Sequence, residues 1–269
     1  MDSSKVPRLI VVTGKGGVGK TSLALAITKH LHESGVKVLY NSFDQITNEK
    51  LCDQMEIPYW EMSTGKSAET YIAKKLGSEM VAGWIMKTPF FKSLFNMIPG
   101  LGMMILLGHI IEKLQNDPDL HIVMDSPSSG HAITMFESSH NFKEMFGKGM
   151  IVDDINRMHQ FIYNEKRLRT IVVTLPTLMA VNEGIDLKKS LNDLEISNVS
   201  LIVNDAIHLS DELNNQDEEL PSFLAKKVEM EKEVVSEFEG KFAKILPHLS
   251  TSNEVENIKG LTKHLEGLW

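Results

Sequence analysis

The chain has 269 residues, enough to bury a full core in one α/β domain, and its 42% hydrophobic and 24% charged content excludes a long disordered tail. A net charge of -8 argues against nonspecific attraction to nucleic acid or anionic lipid, which draws on excess Lys and Arg. The single cysteine, Cys52, excludes an intrachain disulfide and a cysteine-built zinc or iron–sulfur site within one chain, and it fits a reducing compartment.

Residues 1–9 lack the apolar stretch and small-residue cleavage site of a secretory signal, so a cytoplasmic location is expected. Arg8 to Thr13 is a β-branched run ending in glycine, and Ser22 to Glu33 follows with apolar residues at helical spacing: strand, loop, helix. Val36–Tyr40, His121–Met124, Thr170–Thr174, Val199–Val203 and Phe242–Leu246 read as further strands, and Val181–Leu194 and Ser222–Gly240 as helices. Short strands, apolar on both faces and separated by helices, predict an α/β doubly wound, mostly parallel sheet.

The domain is expected to be single, spanning 1–269, with helical insertions at about 48–118 and 131–168 that together build a second helical layer. Ser93 to Ile111 contains no Asp, Glu, Lys or Arg and approaches the length of a membrane span. Asn96, Pro99, Gly100 and Gly102 instead favour two short helices joined by a turn, so no stable membrane insertion is expected. Residues 80–114 are rich in Met and Phe, which suits either the core of the helical layer or a groove for an apolar client. The acidic run Asp211–Glu219 reads as a solvated loop.

Gly14-Lys15-Gly16-Gly17-Val18-Gly19-Lys20-Thr21 matches G-x-x-x-x-G-K-[ST] directly after a strand and before a helix, the context a phosphate-binding loop requires. Its glycines let backbone N–H groups turn inward around phosphate, and the helix that begins near Lys20 adds its positive dipole end, so Gly14 through Ser22 are the expected nucleotide contacts. Lys20 is expected on the β- and γ-phosphates and the Thr21 hydroxyl on Mg²⁺. Asp125 and Asp44 stand at strand ends on the sheet edge where ligands bind in open α/β folds. Asp125 suits a magnesium-holding role; Asp44 suits orientation of the attacking water, or simply turn formation and helix capping.

The second lysine of the loop, Lys15, makes it resemble the deviant Walker A group K-G-G-x-G-K-[ST], which includes the arsenite-pump ATPase ArsA, the ATPase that targets tail-anchored membrane proteins, ParA, MinD and the nitrogenase iron protein. That resemblance implies an ATP-hydrolysing dimer, homomeric or with a related ATPase, in which Lys15 reaches the partner's nucleotide. Asp125-Ser126-Pro127-Ser128-Ser129-Gly130-His131 is similar to the switch II segment of the ArsA-like branch, and Leu175-Pro176-Thr177 through Glu183 to a later helix of it. Ile202-Val203-Asn204-Asp205 resembles the strand end whose asparagine recognises adenine, which assigns Asn204, and Leu246-Pro247 fits the loop over the adenine ring, which assigns Pro247. Pro99 to Gly108 is similar to a segment of short bacterial members. The chain departs from the family at Gln45-Ile46-Thr47, where only the preceding Asp44 of switch I is kept, which implies slow hydrolysis. It also lacks the family's metalloid cysteines and C-x-x-C zinc clasp. The functional expectation is an ATPase with ATP and Mg as cofactors, whose closing and opening serve a partner or client; the alternative is a weakly hydrolysing regulatory or scaffold subunit.

Overall fold

The computed structural model describes residues 2–98, 100–127, 129–146, 150–210 and 220–269. β1 (Leu9–Gly14) is buried along its whole length, as an apolar, β-branched strand with neighbours on both sides must be. α1 (Lys20–Glu33) starts at Gly19, whose φ of +87° is a left-handed conformation that glycine adopts at little cost. The helix closes through Gly35 at φ +81°, with the Val36 N–H donated to the Leu31 carbonyl. Val36 therefore belongs to the helix cap rather than to the strand expected from it, and β2 runs Val38–Asn41.

Five helices connect β2 to β3: α2 (Glu49–Gln54), α3 (Thr64–Leu76), α4 (Glu79–Lys87), α5 (Pro89–Met97) and α6 (Leu101–Asn116). Asn48, Ser63, Ser78 and Thr88 cap α2 to α5 by accepting a backbone N–H. Thr88 also ends α4, and Pro89 follows at the first position of α5, where its missing N–H costs nothing. The turn expected within 93–111 lies between α5 and α6, where Gly100 has φ +75° and a Cβ would stand 1.8 Å from Ser138 Oγ; Pro99 lies outside the described residues.

The chain continues with β3 (His121–Asp125), α7 (Ser129–Phe146), α8 (Met150–Ile162), β4 (Leu168–Thr174), α9 (Leu178–Asp193), β5 (Val199–Ala206), α10 (Ser222–Glu237), β6 (Lys244–Pro247) and α11 (Glu254–Lys263). β4 begins two residues before the run TIVVT, because Leu168 is buried beside Leu9 of β1. β6 starts at Lys244 rather than Phe242, which packs from the side as a half-buried aromatic. The run 211–219 lies outside the described residues.

All described strand pairs are parallel, in the order β2-β3-β1-β4-β5-β6. The chain winds from β1 outward to β2 and β3, then crosses to β4 on the other side, so the carboxyl end of β1 lies where strand order reverses. Alternate residues of β1 feed two cores: Ile10 and Val12 pack with α1 and α11, whereas Leu9 and Val11 pack with α6, α7, α8 and α9. α3 packs on α6 and on α4, and α6, α7 and α8 pack on one another, forming a helical layer beside the sheet.

The Met- and Phe-rich stretch divides in two. Met104 and its neighbours on α6 are core, while Met80, Trp84, Phe90 and Met97 on α4 and α5 are 86%, 70%, 78% and 77% exposed. Phe91 and Phe95 are half-buried against each other, ring centroids 5.7 Å apart. Among the described residues no helix is long and apolar enough to cross a membrane.

Arg8 fixes the entry to β3. Its guanidinium donates to the carbonyls of Leu114, Asp117 and Leu120 at 2.6–2.7 Å, satisfying the end of α6 and the turn after it. Beside it the buried His121 ring, at 3.0 Å from the Pro7 carbonyl, has its pKa pushed down by burial, although that hydrogen bond opposes the shift. Burial also lowers His30 and His109. Each depressed histidine stays neutral in the folded chain at a pH where the unfolded chain takes up a proton, so stability is full above the ordinary value of about 6.5 and falls below it. Urea denaturation between pH 7.5 and pH 5 should show the midpoint dropping with acid, and His121→Gln, which keeps an N–H donor, should flatten that slope. An unchanged slope would assign the dependence to other groups.

Candidate functional site

The loop between β1 and α1 gathers at the reversal point of the sheet. Gly14, Gly17 and Gly19 all hold positive φ, +147°, +81° and +87°. Two of them also have no room: a Cβ on Gly14 would lie 2.3 Å from the Val173 carbonyl oxygen, and one on Gly19 2.3 Å from Asn204 Nδ2. β1 and β4 pair through Gly14 and Val173, so a side chain there would push the strands apart. Around Gly16 and Gly17 there is open space, which leaves the concave side of the loop free for a ligand.

Lys20 turns its amine back onto its own loop, 2.9 Å from the Lys15 carbonyl. Its pKa is lowered by burial, and Asp125 opposes that shift. Thr21, one residue on, donates its hydroxyl to Asp125 Oδ2 at 2.7 Å, and Tyr40 on β2 donates to the same oxygen at 3.2 Å. The other carboxylate oxygen, Oδ1, is buried and has no hydrogen-bond partner among the described residues. Burial raises the pKa of Asp125 against the lowering effect of Thr21, Tyr40 and Lys20. A buried carboxylate with one unpartnered oxygen, beside a hydroxyl, is costly for the protein alone and fits a small hard cation that keeps most of its waters, as Mg²⁺ does. Among the described residues no cluster of three or more His, Cys, Asp or Glu offers a competing metal site.

A second cavity, about 190 Å³, opens beside the loop and brings Gly17, Val18, Gly19 and Ser22 together with Asn204 and Pro247. Asn204 donates to the Val18 carbonyl at 3.0 Å, so the end of β5 is tied to the loop. Sequence reasoning missed Asp205 in the same wall. Its φ of +64° is unusual for a residue with a side chain, and its carboxylate sits 2.6 Å from His248 Nδ1. It missed Tyr40 as well; a tyrosine on an otherwise apolar strand needs a partner for its hydroxyl, and that was the available signal.

Two predicted site residues are turned elsewhere. The Asp44 carboxylate accepts from the Thr64 N–H at 2.9 Å and from the Thr64 hydroxyl at 2.7 Å, at the start of α3. The preceding Phe43 is buried at φ +57°, strain for an aromatic residue that the turn imposes. Lys15, more than half exposed, pairs with Glu183 of α9 at 2.5 Å. Gln45 leans from the same turn toward the Asp125 carbonyl, and Ile46 is fully exposed. In the switch II segment, Ser129, Gly130 and His131 form the first turn of α7, and Ser128 lies outside the described residues.

Gly19→Ala should cost about 1–3 kcal/mol in urea denaturation, the usual range for a strained backbone conformation. Because the added Cβ meets Asn204, combining it with Asn204→Ala should cost less than the two single changes added together. Strict additivity would show that the contact is relieved elsewhere.

The family model for anion-transporting ATPases matches residues 7–59 and 148–266, well over half of the chain. The match takes in the loop, α1, Asp44, Asn204 and Pro247, and leaves out 60–147, which holds α3 to α6, β3 with Asp125, and α7. No curated protein matches the chain. With a glycine loop at the reversal point of a parallel sheet and a match on both sides of residues 60–147, the chain belongs to the anion-transporting ATPase family, and so to the P-loop ATPases that bind and hydrolyse nucleotide.

Proposed function

We propose that the chain is a Mg²⁺-dependent ATPase that works as a dimer, closing on ATP and opening after hydrolysis, and that it couples this cycle to an apolar partner. The observation that carries the reading is the unpartnered oxygen of Asp125 beside the Thr21 hydroxyl, at the mouth of a loop whose glycines leave no room for side chains on one side and open space on the other.

In this reading Gly14 to Ser22 wrap the phosphates with backbone N–H groups, and Lys20 exchanges the Lys15 carbonyl for phosphate oxygens. Thr21 and Asp125 would hold magnesium, and a divalent cation there would supply charge neutralisation for phosphoryl transfer. Asn204 and Pro247 flank the adenine ring in the cavity beside the loop. Asp44 leaves Thr64 to orient the attacking water, and Lys15 leaves Glu183 to reach the partner subunit's nucleotide. Exposed salt bridges contribute only about 0–1 kcal/mol, so release of Lys15 is not a large barrier. The exposed Met80, Trp84, Phe90 and Met97 on α4 and α5 supply the apolar face to which a partner binds.

One observation favours a second reading, a weakly hydrolysing regulatory or scaffold subunit. The Asp44 carboxylate is fully engaged by Thr64, and none of the next three residues keeps the switch I pattern. Single-turnover hydrolysis by the purified chain separates the two readings. The ATPase reading expects Mg²⁺-dependent product formation that Lys20→Ala lowers by at least about 100-fold, the scale of losing a transition-state charge partner. Absence of turnover with normal ATP binding would support the regulatory reading instead. Lys15→Ala tests the quaternary mechanism: nucleotide should still bind, while ATP-dependent dimerisation, followed by light scattering, should fail. Full turnover by a strictly monomeric protein would remove the cross-subunit role.

A further inference from the structure

A cavity in the helical layer lies away from the loop between β1 and α1. It measures about 290 Å³ and is enclosed by α3, α6 and α8 within the helical layer. Its floor is the face of α6 formed by Leu101, Met104, Ile105 and Gly108, and Ile155 and Met158 of α8 close one wall. Gly108 already has Met158 against it: a Cβ there would lie 3.2 Å from the Met158 sulfur, so the space is held open by packing around it rather than left by a missing side chain.

The mouth is charged. Lys74 on α3 pairs with Glu112 on α6. Asp154 on α8 accepts from the Tyr71 hydroxyl at 2.8 Å, pairs with Lys75 at 2.6 Å and pairs with Arg157, so one carboxylate bridges α3 and α8 across the opening. Burial opposes ionisation of Asp154, but these three partners outweigh it and hold its pKa below the ordinary value. Three cations thus face two carboxylates, leaving one positive charge in excess. His109, in the same wall, adds none at neutral pH, because burial, Lys113 and Lys74 all lower its pKa.

From the apolar floor and the singly positive mouth we propose that this cavity binds one amphipathic monocarboxylate, its hydrocarbon body on α6 and its carboxylate at Lys74. The volume sits at the lower end of small-molecule sites and admits a chain of roughly ten heavy atoms, at about 30 Å³ for each atom of water size. Lys74 is the cation that receives the ligand. Its own pair with Glu112 is solvent-exposed and therefore weak, whereas Lys75 is half-covered, tied to Asp154 and stacked on the Tyr71 ring. The matched family segments exclude α3 and α6, which supply Lys74 and the apolar floor, and include α8, which supplies the remaining wall.

The experiment is a titration of the full chain with decanoate, decanol and decylamine below their micelle concentrations, followed by calorimetry and by the methyl signals of ¹³C-methionine. Decanoate should bind once per chain and shift Met104 and Met158, with an affinity about fivefold above that of decanol, the worth of one partly solvated charge pair. Lys74→Gln should remove that preference and keep decanol binding, and Ile105→Trp should fill the cavity and abolish both. Retained ATP binding by each variant reports an intact fold. Should Ile105→Trp fail to fold, the methyl shifts and the surface variant Lys74→Gln still decide the matter. The proposal is overturned by absence of saturable decanoate binding, by decanol or decylamine binding as tightly as decanoate, or by shifts confined to Met80 and Met97, which would place the acid on the exposed face of α4 and α5.

Discussion

The constraint on which the nucleotide end of the molecule depends is the burial of the Asp125 carboxylate at the end of β3. Such a group loses its hydration and is tolerated only where other groups replace it. Thr21 and Tyr40 replace it at one oxygen, and no described residue does at the other. Those partners come from different elements: Thr21 is on α1, which is placed by the glycine loop, and Tyr40 is on β2, whose place is set by pairing with β3. Arg8 in turn fixes where β3 begins, by tying its entry to the end of α6. The loop, two strands and the helical layer are thereby brought into register around a single oxygen atom that the protein itself leaves without a partner.

The sheet and its helices were legible because each signal was local. Apolar, β-branched runs located six strands with their ends within one to three residues, and polar caps such as Ser63, Ser78 and Thr177 mark helix starts in the sequence itself. The phosphate loop was legible for the same reason: eight consecutive positions, with a strand before and a helix after. What was less legible depends on contacts between distant segments. Nothing near Asp44 indicates that its carboxylate meets Thr64, twenty residues on, and nothing near Lys15 points to Glu183. The Met- and Phe-rich stretch left two readings open because periodicity alone does not say which apolar face is covered. The structure gives each half its own answer, core on α6 and solvent on α4 and α5.

The same contrast separates the two ends of the chain's chemistry. The matched segments include the glycine loop after β1, and Asn204 and Pro247 near the ends of β5 and β6. Residues 60–147, outside the match, carry the exposed apolar side chains of α4 and α5 and two of the three helices that line the larger cavity. This division follows from the physics of each part. A phosphate cradle requires particular backbone conformations and tolerates few residues, whereas a layer of amphipathic helices is satisfied by any apolar set of the right volume.

The contact between Asp44 and Thr64 carries a mechanical meaning. The aspartate supplies both acceptors for the first residue of α3, so the helix is moored at its start to the turn that follows β2. Any motion that swings this carboxylate toward the phosphate end casts that mooring off, and the first turn of α3 is then left with an unmet N–H and hydroxyl. In such a motion α3 would be released by the loss of two hydrogen bonds rather than pushed by a new contact. The strained backbone at Phe43, just before the aspartate, is the spring at which such a release would be set.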